Sequence, residues 1–193
     1  MGLLEKLRQA DYAMFKKVNG EWHNSFFDGL FITIRESYLW IPFYFFLIIF
    51  AAINFKKNGW YWILFFLLTA MMSDIISSSI IKELVPRLRP CRDPFIADTM
   101  RFLVKYCPGS SSFTSSHAVN HFAAAMFIFT TFKNRLGNWW AVIFIWAALI
   151  SYAQVYVGVH FPLDVFCGAI AGLIIGYLPA KIFNKKIGLA NWN

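Results

Sequence analysis

At 193 residues the chain is the size of one domain, and 59% hydrophobic with 20% aromatic residues against 15% charged is far from an ordinary soluble composition. The apolar residues come in a few long blocks, which excludes disorder, collagen-like repeats and extended coiled coils and points to lipid as the solvent. The net charge of +8 is carried by Lys and Arg lying between those blocks, so the partners it favours are anionic headgroups and phosphates, not nucleic acid.

Residues 1–37 form an N-terminal segment in which Leu3, Leu4, Leu7, Met14, Phe15 and Val18 recur near helical spacing, with Lys6, Arg8, Lys16 and Lys17 between them. The pattern fits an interfacial amphipathic helix and equally a helix packed on a bundle. No uninterrupted apolar run occurs in the first 30 residues, so no cleavable signal peptide is expected. Residues 38–193 read as a membrane domain. A spanning helix needs about 20 mostly apolar residues, and blocks over 38–55, 60–81, 139–157 and 162–183 meet that length. A fifth block, 118–132, has only 15 residues between His117 and Lys133. The expected fold is an all-α, polytopic membrane helix bundle of about five spans plus the N-terminal helix. A short third span starting at His117 places its N-terminus below the membrane surface, which recesses any polar site there. Trp60, Trp62, Trp139 and Trp140 lie at block ends, where interfacial aromatics belong.

With five spans, the connection 82–116 and the short one around His160 share the N-terminal side. The opposite side carries Lys56, Lys57, Lys133, Arg135, Lys181, Lys185 and Lys186 and no acid. By raw count the N-terminal side has eleven Lys or Arg against seven, which would place it in the cytoplasm. Six of the eleven lie in the connection and read as functional, and the other five are matched by five acids. The expectation is therefore that the N-terminus and the site face outward from an integral membrane protein, in a bacterial inner (cytoplasmic) membrane with the site towards the periplasm.

Three polar clusters fall on that side. Lys82, Arg87 and Arg89-Pro90 form a Pro-bounded basic stretch suited to a phosphoryl group, or to anionic headgroups in general. Ser110-Ser111-Ser112, Thr114-Ser115-Ser116 and His117 precede an apolar helix, where hydroxyls serve as N-caps and free backbone N–H groups make an anion site. Gln154, Gly158, His160, Pro162 and Asp164 compose the third. Pro162 suits the first turn of a helix, and an ionisable Asp164 entering the membrane needs a partner. His160, one turn earlier, is the nearest, and the pairing would fix the imidazole tautomer. A lone His-x-x-x-Asp is more often structural, but three clusters on one face converge on phosphate chemistry.

Together these residues resemble the type 2 phosphatidic acid phosphatases, membrane lipid phosphatases related to vanadium haloperoxidases. Lys82 and Arg89-Pro90 match the family's first motif in full. Thr114-Ser115-Ser116-His117 keeps the Ser and His of the second, with Thr for Pro and Ser for Gly. In the third, Ala153 and Gln154 stand where the family has Ser and Arg, and His160 and Asp164 match. The resemblance spans about residues 60–183. It implies a two-step phosphoryl transfer with His160 as nucleophile, Asp164 stabilising its imidazolium, and His117 as acid and then base. Lys82, Arg89, Ser115, Ser116 and Gln154 would hold the non-bridging oxygens. No metal and no other cofactor is implied, since no third ligand is sensibly spaced beside His160 and Asp164. Gln154 brings a donor but no charge, a gap that Arg87 or Arg92 could fill. His121 and Asp74 read as structural pairs.

Cys91 and Cys107 bracket fifteen residues of the long connection. They are free thiols or, in an oxidising compartment, a disulfide closing a loop over the site; the bridge is the expectation. The substrate expected is a phosphorylated lipid entering sideways from the bilayer, with Phe113 and residues 95–103 lining the entry. A polyprenyl (undecaprenyl) diphosphate leads by analogy, with phosphatidylglycerophosphate, phosphatidate and lipid A phosphate as alternatives. A non-catalytic lipid-phosphate binding protein would gain nothing from His117, His160 and Asp164 together, and a transporter would need more polar residues within the spans. The oligomeric state has no signature in the sequence.

Overall fold

The structure is a computed structural model that describes residues 2–189; the last four residues of the expected membrane domain lie outside it. Every regular element among the described residues is helical. Helix α1 (Leu3–Phe15) runs into a π-helical turn at Lys16–Glu21, and α2 (Ser25–Ile34) starts at Asn24, whose side chain accepts the Phe27 N–H. Among the described residues, four helices are long and apolar enough to cross a membrane: α3 (Ser37–Asn54), α4 (Lys56–Leu84), α6 (Asn138–Tyr156) and α7 (Pro162–Lys186).

The fifth expected span is α5 (Ser116–Leu136), which has the length but not the hydropathy of the other four. Its placement supplies the reason. α5 packs against α4, α6 and α7, and Ala118, Val119, Ala123, Ala125, Phe127, Ile128 and Phe132 are all fully buried. A helix wrapped by other helices needs no lipid-compatible surface. It also outruns its apolar block at both ends, from the Ser115 cap to Gly137, whose φ of 85° stops it. The surrounding helices are inside-out by soluble standards, with Phe45, Ile49, Ile53, Trp60, Met71 and Ile174 each more than half exposed, as lipid solvation permits.

Helices α5 and α7 run parallel along a seam of glycines. A Cβ on Gly168 would stand 3.0 Å from the Ser115 carbonyl oxygen, on Gly172 2.4 Å from that of Val119, and on Gly176 2.2 Å from that of Ala123. The two backbones touch, which is how small residues bring membrane helices together. Both helices begin at the same end of the bundle, and the Ser115 N–H donates to the Asp164 carbonyl at 3.2 Å.

The N-terminal segment packs on the bundle through its second half. Leu3 and Leu4 at its start are 74% and 83% exposed, whereas Asp11, Phe15 and Val18 are buried. Tyr12 and Phe15 pack on Phe161 with ring centroids 5.2 and 5.3 Å apart, so the helix docks where α7 begins. Cys91 and Cys107 are joined in a disulfide, with Cα atoms 6.2 Å apart; Cys167 is free.

Candidate active site

The two loops before α5 are zipped together locally. Arg87 N–H donates to Ser111 Oγ at 3.0 Å, and Ser112 N–H to the Arg87 carbonyl at 2.8 Å. The basic stretch and the serine cluster, 20-odd residues apart in sequence, thus form one structure. The third cluster is shaped by a tight turn. Gly158 adopts φ 89°, and a Cβ there would stand 2.7 Å from the Arg101 carbonyl oxygen, so only glycine fits. Beyond it, the Gln154 carbonyl accepts the N–H groups of Val159 and His160 at 3.1 and 3.2 Å, which anchors the loop carrying His160.

Arg89 and His160 meet in the interior, 4% and 3% exposed. Arg89 Nη1 lies 3.1 Å from His160 Nε2 and donates to the Val159 carbonyl at 3.0 Å, while Nε and Nη2 bind the Ser110 carbonyl and hydroxyl at 3.0 and 3.1 Å. A guanidinium has no acceptor, so His160 Nε2 presents its lone pair and the neutral ring carries its proton on Nδ1. Nδ1 faces Asp164 Oδ2 at 3.6 Å and Ser112 Oγ at 3.4 Å. The first distance is an ionic contact longer than a hydrogen bond. Asp164 Oδ2 is held by Ser112 Oγ at 2.6 Å and by the Phe161 N–H at 2.9 Å; its Oδ1 accepts from Arg87 Nη1 at 2.6 Å.

Burial pushes the His160 imidazole down to about 4. The nearby Asp164 pulls the other way, and the charges of Arg89 and Lys82 reinforce the burial. Burial likewise lowers Arg89, with Asp164 opposing and the charges of Arg92 and Arg35 adding to it. Lys82 lies in the last turn of α4, within electrostatic reach of His160.

The remaining expected residues are placed as follows. Ser115 is the N-cap of α5, its Oγ accepting the Ala118 N–H at 3.4 Å. Ser116 and His117 open the helix, where backbone N–H groups have no intrahelical partner. The Ser116 hydroxyl lies 3.2 Å from that of Ser78 on α4. His117 stacks on His121 with ring centroids 6.1 Å apart, and its carbonyl lies 2.8 Å from His121 Nδ1. Asp74 accepts from Ser78 and Asn120, both at 3.2 Å. Gln154 is 1% exposed, and its Nε2 is buried with no hydrogen-bond partner. Arg92 donates to the Cys107 carbonyl at 3.2 Å. Arg87, suggested by sequence as a phosphate ligand, is engaged instead between Asp164 and Asp11. Ser112 and Asp11 are the residues that sequence reasoning did not single out. Asp11 had a signal: it is an acid on the apolar stripe of α1, four residues after Leu7 and four before Phe15.

Residues 61–187 match the PAP2 superfamily. The chain belongs to that superfamily. A lipid A 4′-phosphatase of Porphyromonas gingivalis is 30% identical over 186 residues, covering 93% of this chain and 75% of that one. An undecaprenyl-diphosphatase of Bacillus subtilis is 29% identical over 173 residues, covering 87% and 81%. The crystal structure of a PAP2-type phosphatidylglycerolphosphate phosphatase from Bacillus subtilis has the same fold, with a TM-score of 0.71 at 23% identity over 94% and 88% of the two chains. The protein is a PAP2 lipid phosphatase embedded in the membrane, and Arg89, His160 and Asp164, matched from the family motifs, form one contiguous buried group.

Three cavities adjoin the elements of the site, one of them, of about 280 Å³, lined by Arg87, Arg89, Arg92, Ser110 and Ser111. A second, of about 370 Å³, is apolar, with Met14, Val18, Val155, Val165 and Phe166 in its wall. The third, of about 480 Å³, has mixed walls that include Arg35, its ion-pair partner Glu36, Leu103, Val104 and Lys105, and the charge of Arg35 reaches Arg89.

Proposed function

We propose that the protein releases phosphate from a membrane lipid phosphate or diphosphate through a phosphohistidine at His160. The observation that carries this is the orientation of the imidazole, with Nε2 as an acceptor facing Arg89 and Nδ1 towards Asp164 and Ser112. In the first step the Nε2 lone pair forms a bond to phosphorus, and the bond from phosphorus to the lipid oxygen breaks. His117 protonates that oxygen. In the second step water attacks phosphorus, His117 takes its proton, and the N–P bond breaks to release phosphate. Asp164 balances the imidazolium charge while it exists. Arg89, Lys82, Ser115 and the N–H groups of Ser116 and His117 hold the non-bridging oxygens, with the unpaired amide of Gln154 as a further donor. A preorganised donor of this kind is worth roughly 3 kcal/mol in the transition state. The cations and donors meet the phosphate charge with no metal assigned a role.

The lead substrate is a polyprenyl diphosphate. The cavity lined by Arg87, Arg89 and Arg92 supports a substrate with anionic groups beyond the one cleaved, and the apolar cavity supports a hydrocarbon chain approaching from the bilayer. A lipid A phosphate is the second reading, favoured by the 30% identity over 93% of the chain to a lipid A 4′-phosphatase. The joined Cys91 and Cys107 support an outward-facing site in a bacterial cytoplasmic membrane. Phosphate release from a panel of lipid phosphates in detergent, with chelator present, tests the reaction. Turnover that resists chelator and vanishes in His160→Ala is expected; turnover lost on chelation, or parental in His160→Ala, overturns the mechanism.

A further inference from the structure

The Arg87 guanidinium is a fork between two buried carboxylates. Nη1 donates to Asp164 Oδ1 at 2.6 Å and Nη2 donates to Asp11 Oδ2, while its plane lies over the Phe161 ring, 4.4 Å from the centroid. The Asp11 side chain is 4% exposed and that of Asp164 not at all. Asp11 Oδ1 also accepts the N–H of Leu163, the second residue of α7, at 2.8 Å. One carboxylate on α1 therefore holds both the guanidinium behind Asp164 and the helix turn on which Asp164 stands.

From this geometry we propose that Asp11 is a positioning residue for phosphoryl transfer, acting through Arg87 on Asp164. The inference rests on the phosphohistidine mechanism above.

The physical argument concerns how Asp164 divides its oxygens. Its Oδ1 is taken by Arg87, and its Oδ2 by Ser112, the Phe161 N–H and the ionic contact to His160. The groups facing this carboxylate are thus Arg87 and Ser112 from the long connection and His160 from the loop before α7. A guanidinium free of Asp11 could close on both Asp164 oxygens, since bidentate pairing is its preferred mode with a carboxylate. That would draw Oδ2 away from Nδ1 as the imidazolium forms. Asp11 takes the second arm of the fork and so prevents it. It also offsets the Arg87 charge, so that the pair together leaves the negative charge of Asp164 available to His160. Burial raises the Asp11 carboxyl, and Arg87 and the Leu163 N–H work against that rise.

The test compares Asp11→Asn, Asp11→Glu, Arg87→Met and the Asp11→Asn/Arg87→Met double variant in full-length protein, each assayed for kcat, KM and the single-turnover rate of phosphoenzyme formation. His160→Ala serves as the control. Asn keeps an acceptor for Leu163 and loses the charge. The expectation for Asp11→Asn is a fall in kcat of about tenfold, the rate equivalent of about 1.4 kcal/mol, with KM changed by less than about twofold. Asp11→Glu should recover part of the loss, and the double variant should be no slower than Arg87→Met alone. Single-turnover rates count only folded sites, so the comparison stands if the yield of a variant falls. Parental kcat in Asp11→Asn, or additive losses in the double variant, overturn the proposal while an inactive His160→Ala leaves the mechanism intact. An active His160→Ala overturns the mechanism itself.

Discussion

Arg89 Nη1 stands 3.1 Å from His160 Nε2, on the nitrogen whose lone pair would attack phosphorus. The contact fixes the imidazole tautomer and puts the proposed phosphate-binding cation beside the proposed nucleophile. On the proposed mechanism, a non-bridging oxygen arriving at the site would compete with Nε2 for the same N–H, so binding a phosphoryl group would free the lone pair that attacks it.

This arrangement needs a fork. Arg89 reaches the Ser110 carbonyl, the Val159 carbonyl and His160 at once, and an ammonium cannot span those directions. Arg89→Lys is expected to lower kcat/KM about a hundredfold in a phosphate-release assay. A loss below about threefold would mean that charge alone suffices at this position.

The pH dependence follows from burial. With the His160 imidazole held at about 4 against an ordinary 6.5, the ring stays neutral, and the limb of kcat/KM that reports protonation of this proposed nucleophile is expected near pH 4. The sign for stability is fixed by the same shift. Between about 6.5 and 4 the unfolded chain binds a proton at His160 and the folded chain does not, so this residue's contribution is complete above 6.5 and is lost as pH falls towards 4. Melting temperatures from pH 7 to 5 should drop more steeply for the parent than for His160→Asn.

Joining Cys91 to Cys107 closes a loop with a sequence separation of 16 residues, worth about 3 kcal/mol in the chain-entropy account. Thiol titration under denaturing, non-reducing conditions should return one free cysteine, Cys167, and reduction should lower the melting temperature. Three free thiols would remove the loop closure and the support it gives to an outward-facing site.

Along the α5–α7 seam, Gly172→Ala would push a methyl to 2.4 Å from the Val119 carbonyl oxygen and 3.0 Å from the Ala123 nitrogen. Backbone cannot yield as a side chain does, so about 1–3 kcal/mol of destabilisation is expected, with loss of turnover. An unchanged melting temperature and full activity would show that the helices are not in backbone contact there.

The sequence carried the helical architecture and the chemistry of the site in different degrees. Four spans were legible because lipid-facing helices must be apolar along their length, and α5 was legible only as a short block because a protein-wrapped helix is released from that requirement. His160 and Asp164 could be paired from spacing one helical turn apart. The Ser112 hydroxyl, 2.6 Å from that carboxylate, could not, because six hydroxyls in one run look alike until the loop folds. Gln154 reads in sequence as an amide in place of a guanidinium; that its carbonyl anchors the His160 loop belongs to backbone geometry, on which side-chain identity is silent. Arg87 looked like a phosphate ligand because charge near a motif is ambiguous, and only the fold reveals its two acidic partners. Asp11 was visible as an acid among apolar positions, but its partners are 76 and 152 residues away.

The glycine seam works as a pair of calipers. Because α5 opens with Ser116 and His117 and α7 carries Asp164 in its first turn, contact between the two main chains sets the spacing of the helix turns on which the proposed proton donor and charge partner stand. A single misplaced methyl between the helices would therefore disturb the site with every polar side chain still in place.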